Sequence, residues 1–197
     1  NMLSIVLFSL IIFLFISSQI NNLTLILSPF AALYLFLYSY SKRYTWASSF
    51  LLGGALSIAP SASWIAVKSS LGLEPILLSF AILFWASSFD IIYHASDIEY
   101  HSKYGLYSVV RRFGIDKSLL ICRFLDISSI VSFIILGIYS GLTLVYYFGC
   151  ILSLFILIYK HYLIIINGIN KSKIGFFKFN SYLSITIFSC TAIDLLL

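Results

Sequence analysis

The chain has 197 residues, of which 61% are hydrophobic and only 10% are charged. Soluble domains carry about 25% charged residues, so this composition excludes a soluble globular protein. The net charge of +5 is spread over short stretches between apolar runs. Because no basic stripe is interleaved with exposed aromatic residues, we expect no nucleic-acid partner.

Apolar runs separated by short polar breaks predict about seven membrane-spanning helices, each of which takes roughly 20 residues. In chain order they cover residues 2–19, 23–40, 46–67, 74–96, 118–140, 143–163 and 179–197. We therefore predict an all-α, multi-pass transmembrane helical bundle. It forms a single domain over residues 1–197 and has the lipid bilayer as its surroundings.

Lysine and arginine fall almost entirely on one side of this predicted bundle. The connections after the second, fourth and sixth helices hold 11 of the 12 basic residues, and only Lys68 lies on the other side. The 11 residues are Lys42, Arg43, Lys103, Arg111, Arg112, Lys117, Arg123, Lys160, Lys171, Lys173 and Lys178. The positive-inside rule places that side in the cytoplasm. We therefore predict a protein of the cytoplasmic (inner) membrane whose active face is cytoplasmic.

A row of polar side chains marks the end of the fourth predicted helix. Asp90, His94, Asp97 and His101 are spaced by four, three and four residues, which places them on one helix face. An aspartate at membrane depth is costly and usually faces a cavity or a partner. Carboxylates suit Mg²⁺, which often binds one or two of them together with the phosphate oxygens of a substrate. The pattern favours a metal-bridged diphosphate at the cytoplasmic mouth, and a loop of ordinary solvated acids is the alternative.

Several basic residues on the same side are candidates for binding the diphosphate. They are Lys42, Arg43, Lys103, Arg111 and Arg112. Cations bind phosphate oxygens through strong, charge-assisted hydrogen bonds. Lys42 and Arg43 also fit a purely topological role, in which their charges only set the orientation of the helices.

Three further ionisable residues have structural explanations. Asp126 follows Arg123 by three residues, and we expect these two to form an ion pair. We expect Asp194 to reach lipid headgroups at the outer surface. His161 is predicted to mark the cytoplasmic end of the sixth helix.

The residues around the polar row resemble a known family. The run resembles the second aspartate-rich motif of the UbiA superfamily of intramembrane aromatic prenyltransferases. Its matching residues are Asp90, Tyr93, Asp97, Gly105, Leu106, Ser108, Phe113 and Gly114. Residues 38–45 resemble the family's Y-x-x-x-K-R-x-T stretch, and residues 177–180 resemble the segment before its last helix. The resemblance covers essentially the whole chain.

This resemblance implies transfer of a polyprenyl group from polyprenyl diphosphate to an aromatic acceptor. The acceptor would be 4-hydroxybenzoate or a related ring in ubiquinone or menaquinone biosynthesis. The resemblance implies Mg²⁺ as the cofactor, bound by Asp90, Asp97 and, in place of a carboxylate, His101. It implies catalytic roles for Asp90 and Asp97, and Tyr93 is a candidate for stabilising the prenyl cation.

The chain departs from the family pattern in two ways. The family's first aspartate-rich motif is absent, and the first predicted helix resembles the family's third. We therefore expect an N-terminally incomplete chain, with about seven helices of nine, that is inactive by itself. His101 stands where the motif that begins at Asp97 places a carboxylate, and imidazole is a poorer Mg²⁺ ligand. A non-catalytic membrane protein or transporter on the same fold, with a degraded metal site, remains the alternative.

Overall fold

A computed structural model describes the backbone of residues 2–171 and 173–197, and the side chains of residues 4–169 and 178–197. The described backbone is helical and contains no strand. Its elements are α1 (Met2–Ile20), α2 (Asn22–Tyr40), a 3₁₀ turn (Ser41–Arg43), α3 (Ser48–Lys68), α4 (Leu73–Ser96), α5 (Ile98–Lys103), α6 (Val109–Phe113), α7 (Ile115–Tyr139), α8 (Leu144–Lys171) and α9 (Lys173–Leu196). This confirms the predicted all-α class.

The long helices correspond to the predicted apolar runs. Within the described chain, six helical segments are long and apolar enough to cross a membrane, and Ser4–Ile20 is a shorter apolar helix. The two short helices α5 and α6 lie in the connection between α4 and α7. This connection therefore has more structure than the sequence pattern predicts.

The predicted end of the sixth membrane helix is wrong. His161 lies inside α8, which continues to Lys171 with a backbone break at Gly168 (φ 72°). The expected Arg123–Asp126 pair is also wrong, because the Asp126 carboxylate is bound by two residues of α8, Lys160 and His161. Lys160 and His161 therefore do not mark the membrane surface, because both contact Asp126 inside the bundle.

Helix α4 packs between α3 and α7 and also contacts α8 and α9. A small residue allows the close approach of α3, because a Cβ atom at Gly53 would lie only 2.5 Å from the Leu83 carbonyl oxygen. On the opposite side, the Ser129 hydroxyl of α7 donates a hydrogen bond to the Ala81 carbonyl at 2.8 Å. Both contacts fix α4, which bears the polar row at its C-terminal end.

Asp194 has structural partners at the start of α8. Its carboxylate accepts hydrogen bonds from the backbone N–H groups of Thr143 at 2.8 Å and Tyr146 at 3.1 Å. These N–H groups lie at the start of α8, where a helix has no internal acceptors for them. The expectation that Asp194 reaches lipid headgroups is therefore wrong.

Two of the basic connections meet at the opposite end. The backbone N–H of Tyr107 donates a hydrogen bond to the Lys42 carbonyl at 2.8 Å, and the Arg112 guanidinium lies 4.7 Å from the centre of the Trp46 ring. The connections after α2 and α4 thus lie on the same side, as the charge pattern predicts. The side chains of Lys171, Lys173 and Phe177 lie outside the described residues.

Candidate functional site

The polar row forms a buried cluster where α4 leaves the bundle. Asp90 and His94 are one helical turn apart on α4, and the His94 Nε2 atom lies 3.4 Å from the Asp90 Oδ2 atom. The His94 Nδ1 atom lies 3.2 Å from the hydroxyl of Ser49 on α3. The His101 ring centre lies 4.5 Å from that of His94. Three of the four residues in the row therefore meet in one place.

A break in the helix brings His101 back towards the cluster. Helix α4 ends at Ser96, and Asp97 has backbone angles (φ −114°, ψ 24°) outside the helical range. The His101 N–H still donates a hydrogen bond to the Asp97 carbonyl at 3.0 Å, so α5 begins as a near continuation of α4. The Asp97 side chain is partly buried, and its charge acts on His101.

Each member of the cluster has a buried polar atom without a hydrogen-bond partner among the described residues. These atoms are Asp90 Oδ2, His94 Nε2 and His101 Nδ1. Buried polar atoms are nearly always paired, so an unpaired group needs an explanation. Asp90 Oδ2 and His94 Nε2 face each other at 3.4 Å, beyond good hydrogen-bond geometry, and His101 Nδ1 lies on the neighbouring ring, so a polar ligand or cation at this place would give these atoms a partner.

Lys42 supplies positive charge to this cluster. Its charge acts on the Asp90 carboxylate and on the imidazoles of His94 and His101. Tyr38 lies four residues before Lys42, and the charge of the Asp90 carboxylate acts on the Tyr38 phenol. Tyr38 is not among the predicted site residues, although its spacing of four residues from Lys42 is a signal for a shared helix face.

His101 is held in its neutral form. Burial lowers the pKa of its imidazole, and the charge of Lys42 lowers that pKa further. Asp97 raises the pKa and Arg111 lowers it, but both effects are smaller than that of burial. A neutral imidazole is the form that binds a metal ion or accepts a hydrogen bond.

The five predicted diphosphate-binding cations have different surroundings. The charge of Lys42 acts on the Asp90 carboxylate. The Arg111 guanidinium donates hydrogen bonds to the backbone carbonyls of Leu106 and His101. Lys103 lies over the Tyr104 ring, Arg112 lies over Trp46, and Arg43 is exposed after α2. The structure therefore brings two of the five, Lys42 and Arg111, to the cluster.

Of the predicted metal ligands, Asp90 has the chemistry to share a cation with a phosphate-bearing molecule. Among the described side chains, no group of three or more His, Cys, Asp and Glu residues is arranged to hold a metal ion. Mg²⁺ needs only one or two carboxylates when phosphate oxygens and waters complete its octahedral shell. Asp90, whose Oδ2 atom has no hydrogen-bond partner among the described residues, supplies one such carboxylate.

Tyr93 is exposed on α4, whereas Ser49 is buried on α3 against the His94 ring. The predicted Tyr93 follows Ile92 on α4 and is 44% exposed. Ser49 is fully buried and holds the His94 ring from the neighbouring helix. No sequence signal points to Ser49, because its contact joins residues 45 positions apart in the chain.

Comparison with known proteins identifies the family to which this chain belongs. The family described as "UbiA prenyltransferase family" matches residues 1–182. The chain is 30% identical over 189 residues to a 4-hydroxybenzoate octaprenyltransferase of Marinobacter nauticus, covering 94% of this chain and 63% of that protein. It is 28% identical to the protein of that name from Francisella tularensis subsp. novicida, covering 94% of this chain and 65% of that protein.

Two solved structures share the fold. A UbiA homolog from Aeropyrum pernix K1 superposes with a TM-score of 0.82 at 21% identity, covering 94% of this chain and 69% of that one. A digeranylgeranylglyceryl phosphate synthase superposes with a TM-score of 0.77 at 22% identity, covering 94% and 66%. The predicted resemblance and fold are confirmed. The chain spans 63–65% of the length of the two prenyltransferase relatives.

Proposed function

Because the chain belongs to the UbiA prenyltransferase family, we propose that the protein transfers a polyprenyl group from polyprenyl diphosphate to an aromatic acceptor. Since the chain spans only part of the length of its relatives, the activity is assigned to the whole protein. We propose 4-hydroxybenzoate as the acceptor, in ubiquinone biosynthesis. The names of the relatives support that acceptor.

One observation supports this function most strongly: a buried carboxylate on a membrane helix has an oxygen that makes no hydrogen bond among the described residues, and the charge of a lysine acts on it. Asp90 is 6% exposed, its Oδ2 atom has no hydrogen-bond partner among the described residues, and the charge of Lys42 acts on it. This combination suits a substrate that is anionic at one end and apolar at the other. Its diphosphate would lie at the cluster while its tail stays among the apolar helices.

The chain's own residues have separate tasks in this mechanism. Lys42 attracts the diphosphate, while Arg111 fixes the backbone at His101 and Leu106 through hydrogen bonds to their carbonyls. Asp90 and Asp97 would hold Mg²⁺ against the phosphate oxygens, where the metal would neutralise charge as the diphosphate leaves. Ser49 and His94 keep the Asp90 carboxylate in place. This pre-organisation lets the site stabilise the leaving group without rearranging.

Membranes that contain the whole protein provide the test. They are incubated with labelled polyprenyl diphosphate and 4-hydroxybenzoate, with Mg²⁺ or with a chelator. We expect a prenylated acid that forms only with Mg²⁺. Product from a naphthalene-type acceptor alone would move the assignment to menaquinone biosynthesis. No product from either acceptor would instead support a non-catalytic protein with a degraded metal site.

A further inference from the structure

The candidate site takes residues from two separate connections of the chain. Lys42 belongs to the connection between α2 and α3, whereas His101 belongs to the connection between α4 and α7. Connecting segments are generally more mobile than the long helices that they join. Contacts between the two connections are therefore needed to keep Lys42 and His101 facing the same place.

A backbone hydrogen bond forms the first link between these connections. The N–H group of Tyr107 donates to the Lys42 carbonyl at 2.8 Å. The 3₁₀ turn at Ser41–Arg43 keeps its own shape through a bond from the Tyr44 N–H to the Ser41 carbonyl at 3.0 Å. That internal bond does not reach the other connection, so the bond from Tyr107 fixes where the Lys42 backbone lies.

An aromatic contact forms the second link. Trp46 follows Lys42 by four residues, and its ring lies against two side chains of α6. The Arg112 guanidinium lies 4.7 Å from the centre of the Trp46 ring, and the Phe113 ring packs edge to face at 5.3 Å. Tryptophan is the best aromatic partner for a cation. Trp46 also packs against the buried core cluster that α6 helps to form, so side chains as well as backbone join α6 to the connection of Lys42.

The two adjacent arginines of α6 have different contacts. Arg111 donates hydrogen bonds to the carbonyls of His101 and Leu106, inside its own connection. Arg112 is exposed and lies over the Trp46 ring, which belongs to the other connection. A guanidinium can stack on an aromatic face while its charge stays in water. The contact of Arg112 therefore favours a positioning role over direct binding of the diphosphate.

We propose that Arg112 and Trp46 are positioning residues that keep Lys42 at the Asp90 cluster. Together with the backbone bond to Lys42, their contact holds the connection of His101 against the connection of Lys42. Without it, Lys42 would lie less firmly beside Asp90, and the site would bind the diphosphate less tightly. The inference rests on the proposed donor site, but it concerns how that site is assembled.

Binding of inorganic diphosphate with Mg²⁺ tests the proposal without requiring turnover. The solubilised whole protein is titrated by calorimetry as wild type, Arg112→Gln, Trp46→Leu and the double variant. We expect each single variant to lose about two- to fivefold in affinity, as for one exposed cation–π contact. The double variant should lose no more than the weaker of the two single variants, because both substitutions remove the same contact. Arg112→Lys and Trp46→Phe should keep most of the affinity, because each retains a cation over a ring.

Two matched controls separate this role from surface charge and from the loss of an indole. Lys117→Gln removes an exposed cation of α7, and Trp64→Leu removes an indole near the other end of α3. Both should bind diphosphate as the wild type does. A loss in Arg112→Gln with wild-type affinity in Trp46→Leu would overturn the proposal, because it would indicate that Arg112 contacts the phosphate. Additive losses in the double variant, or wild-type affinity in both single variants, would contradict it as well.

Kinetics in membranes provide a second readout. Arg112→Gln should raise the KM for polyprenyl diphosphate by the same factor and leave the KM for 4-hydroxybenzoate unchanged. A general loss of stability would instead lower the amount of active enzyme and change neither KM. A wild type that binds diphosphate but makes no prenylated product would overturn the proposed function alone. An unchanged KM for the donor in an active Arg112→Gln variant would overturn the positioning role alone.

Discussion

The His94 Nε2 atom lies 3.4 Å from the Asp90 Oδ2 atom, one helical turn earlier on α4. Both atoms are buried without a hydrogen-bond partner among the described residues. The other ring nitrogen of His94 is held by Ser49. His94 therefore orients the Asp90 carboxylate without a hydrogen bond to its Oδ2 atom, and the proposed chemistry depends on that atom binding a ligand.

Replacing Lys42 should weaken binding of the prenyl donor. We expect Lys42→Met to raise the KM for polyprenyl diphosphate about tenfold or more, because one hydrogen bond to a charged group contributes about 1.5–3 kcal/mol. Lys42→Arg should recover part of the loss because it restores the charge. Lys117→Met, which removes an exposed cation elsewhere on α7, is the matched control. A wild-type KM in Lys42→Met would limit Lys42 to a topological role.

Restoring a carboxylate at position 101 should improve metal binding. We expect His101→Asp to lower the Mg²⁺ concentration for half-maximal activity by on the order of tenfold, because a carboxylate binds Mg²⁺ better than imidazole does. His101→Asn is the control, since it changes the side chain without adding charge. If both variants shift the Mg²⁺ requirement equally, His101 does not stand in for a metal ligand.

Asp126, Lys160 and His161 form a buried cluster between α7 and α8. We expect this cluster to stabilise the fold only while the charge of Asp126 is paired with that of Lys160. Lys160→Met leaves Asp126 with less compensation in a buried position, and breaking such a pair costs about 3–5 kcal/mol. The double variant Asp126→Leu with Lys160→Met should recover much of this loss, because it removes both charges. Unfolding in mixed detergent measures both, with the exposed Lys178→Met as the control. A double variant as unstable as Lys160→Met would contradict this account.

The sequence predicts features that repeat within one helix better than contacts between helices. The apolar runs predict the long helices, and the spacing of Asp90, His94 and His101 predicts their common location, because helical periodicity relates neighbours in the chain. The partners of Asp126 could not be predicted in the same way. Lys160 is 34 positions away in the sequence, and its contact with Asp126 depends on how α7 packs against α8.

The same reason explains the misassigned helix ends and the missed residues. A buried lysine and an interfacial lysine look alike in a sequence, so Lys160 and His161 suggested a membrane surface. Asp194 suggested the same, although its carboxylate caps a helix whose first residues lie 51 positions earlier. Ser49 joins the site only because α3 packs closely against α4.

The most direct test compares Asp90→Asn with Asp116→Asn in the whole protein. Asp116 is an exposed carboxylate in the first turn of α7, so its variant makes the same chemical change outside the cluster. The rate of prenyl transfer to 4-hydroxybenzoate is measured in membranes at saturating Mg²⁺, with protein amounts matched. We predict that Asp90→Asn loses on the order of 10²–10³-fold in rate, as for the loss of one group that stabilises a transition state, while Asp116→Asn keeps the wild-type rate. A wild-type rate in Asp90→Asn would contradict the assignment of this cluster as the active site.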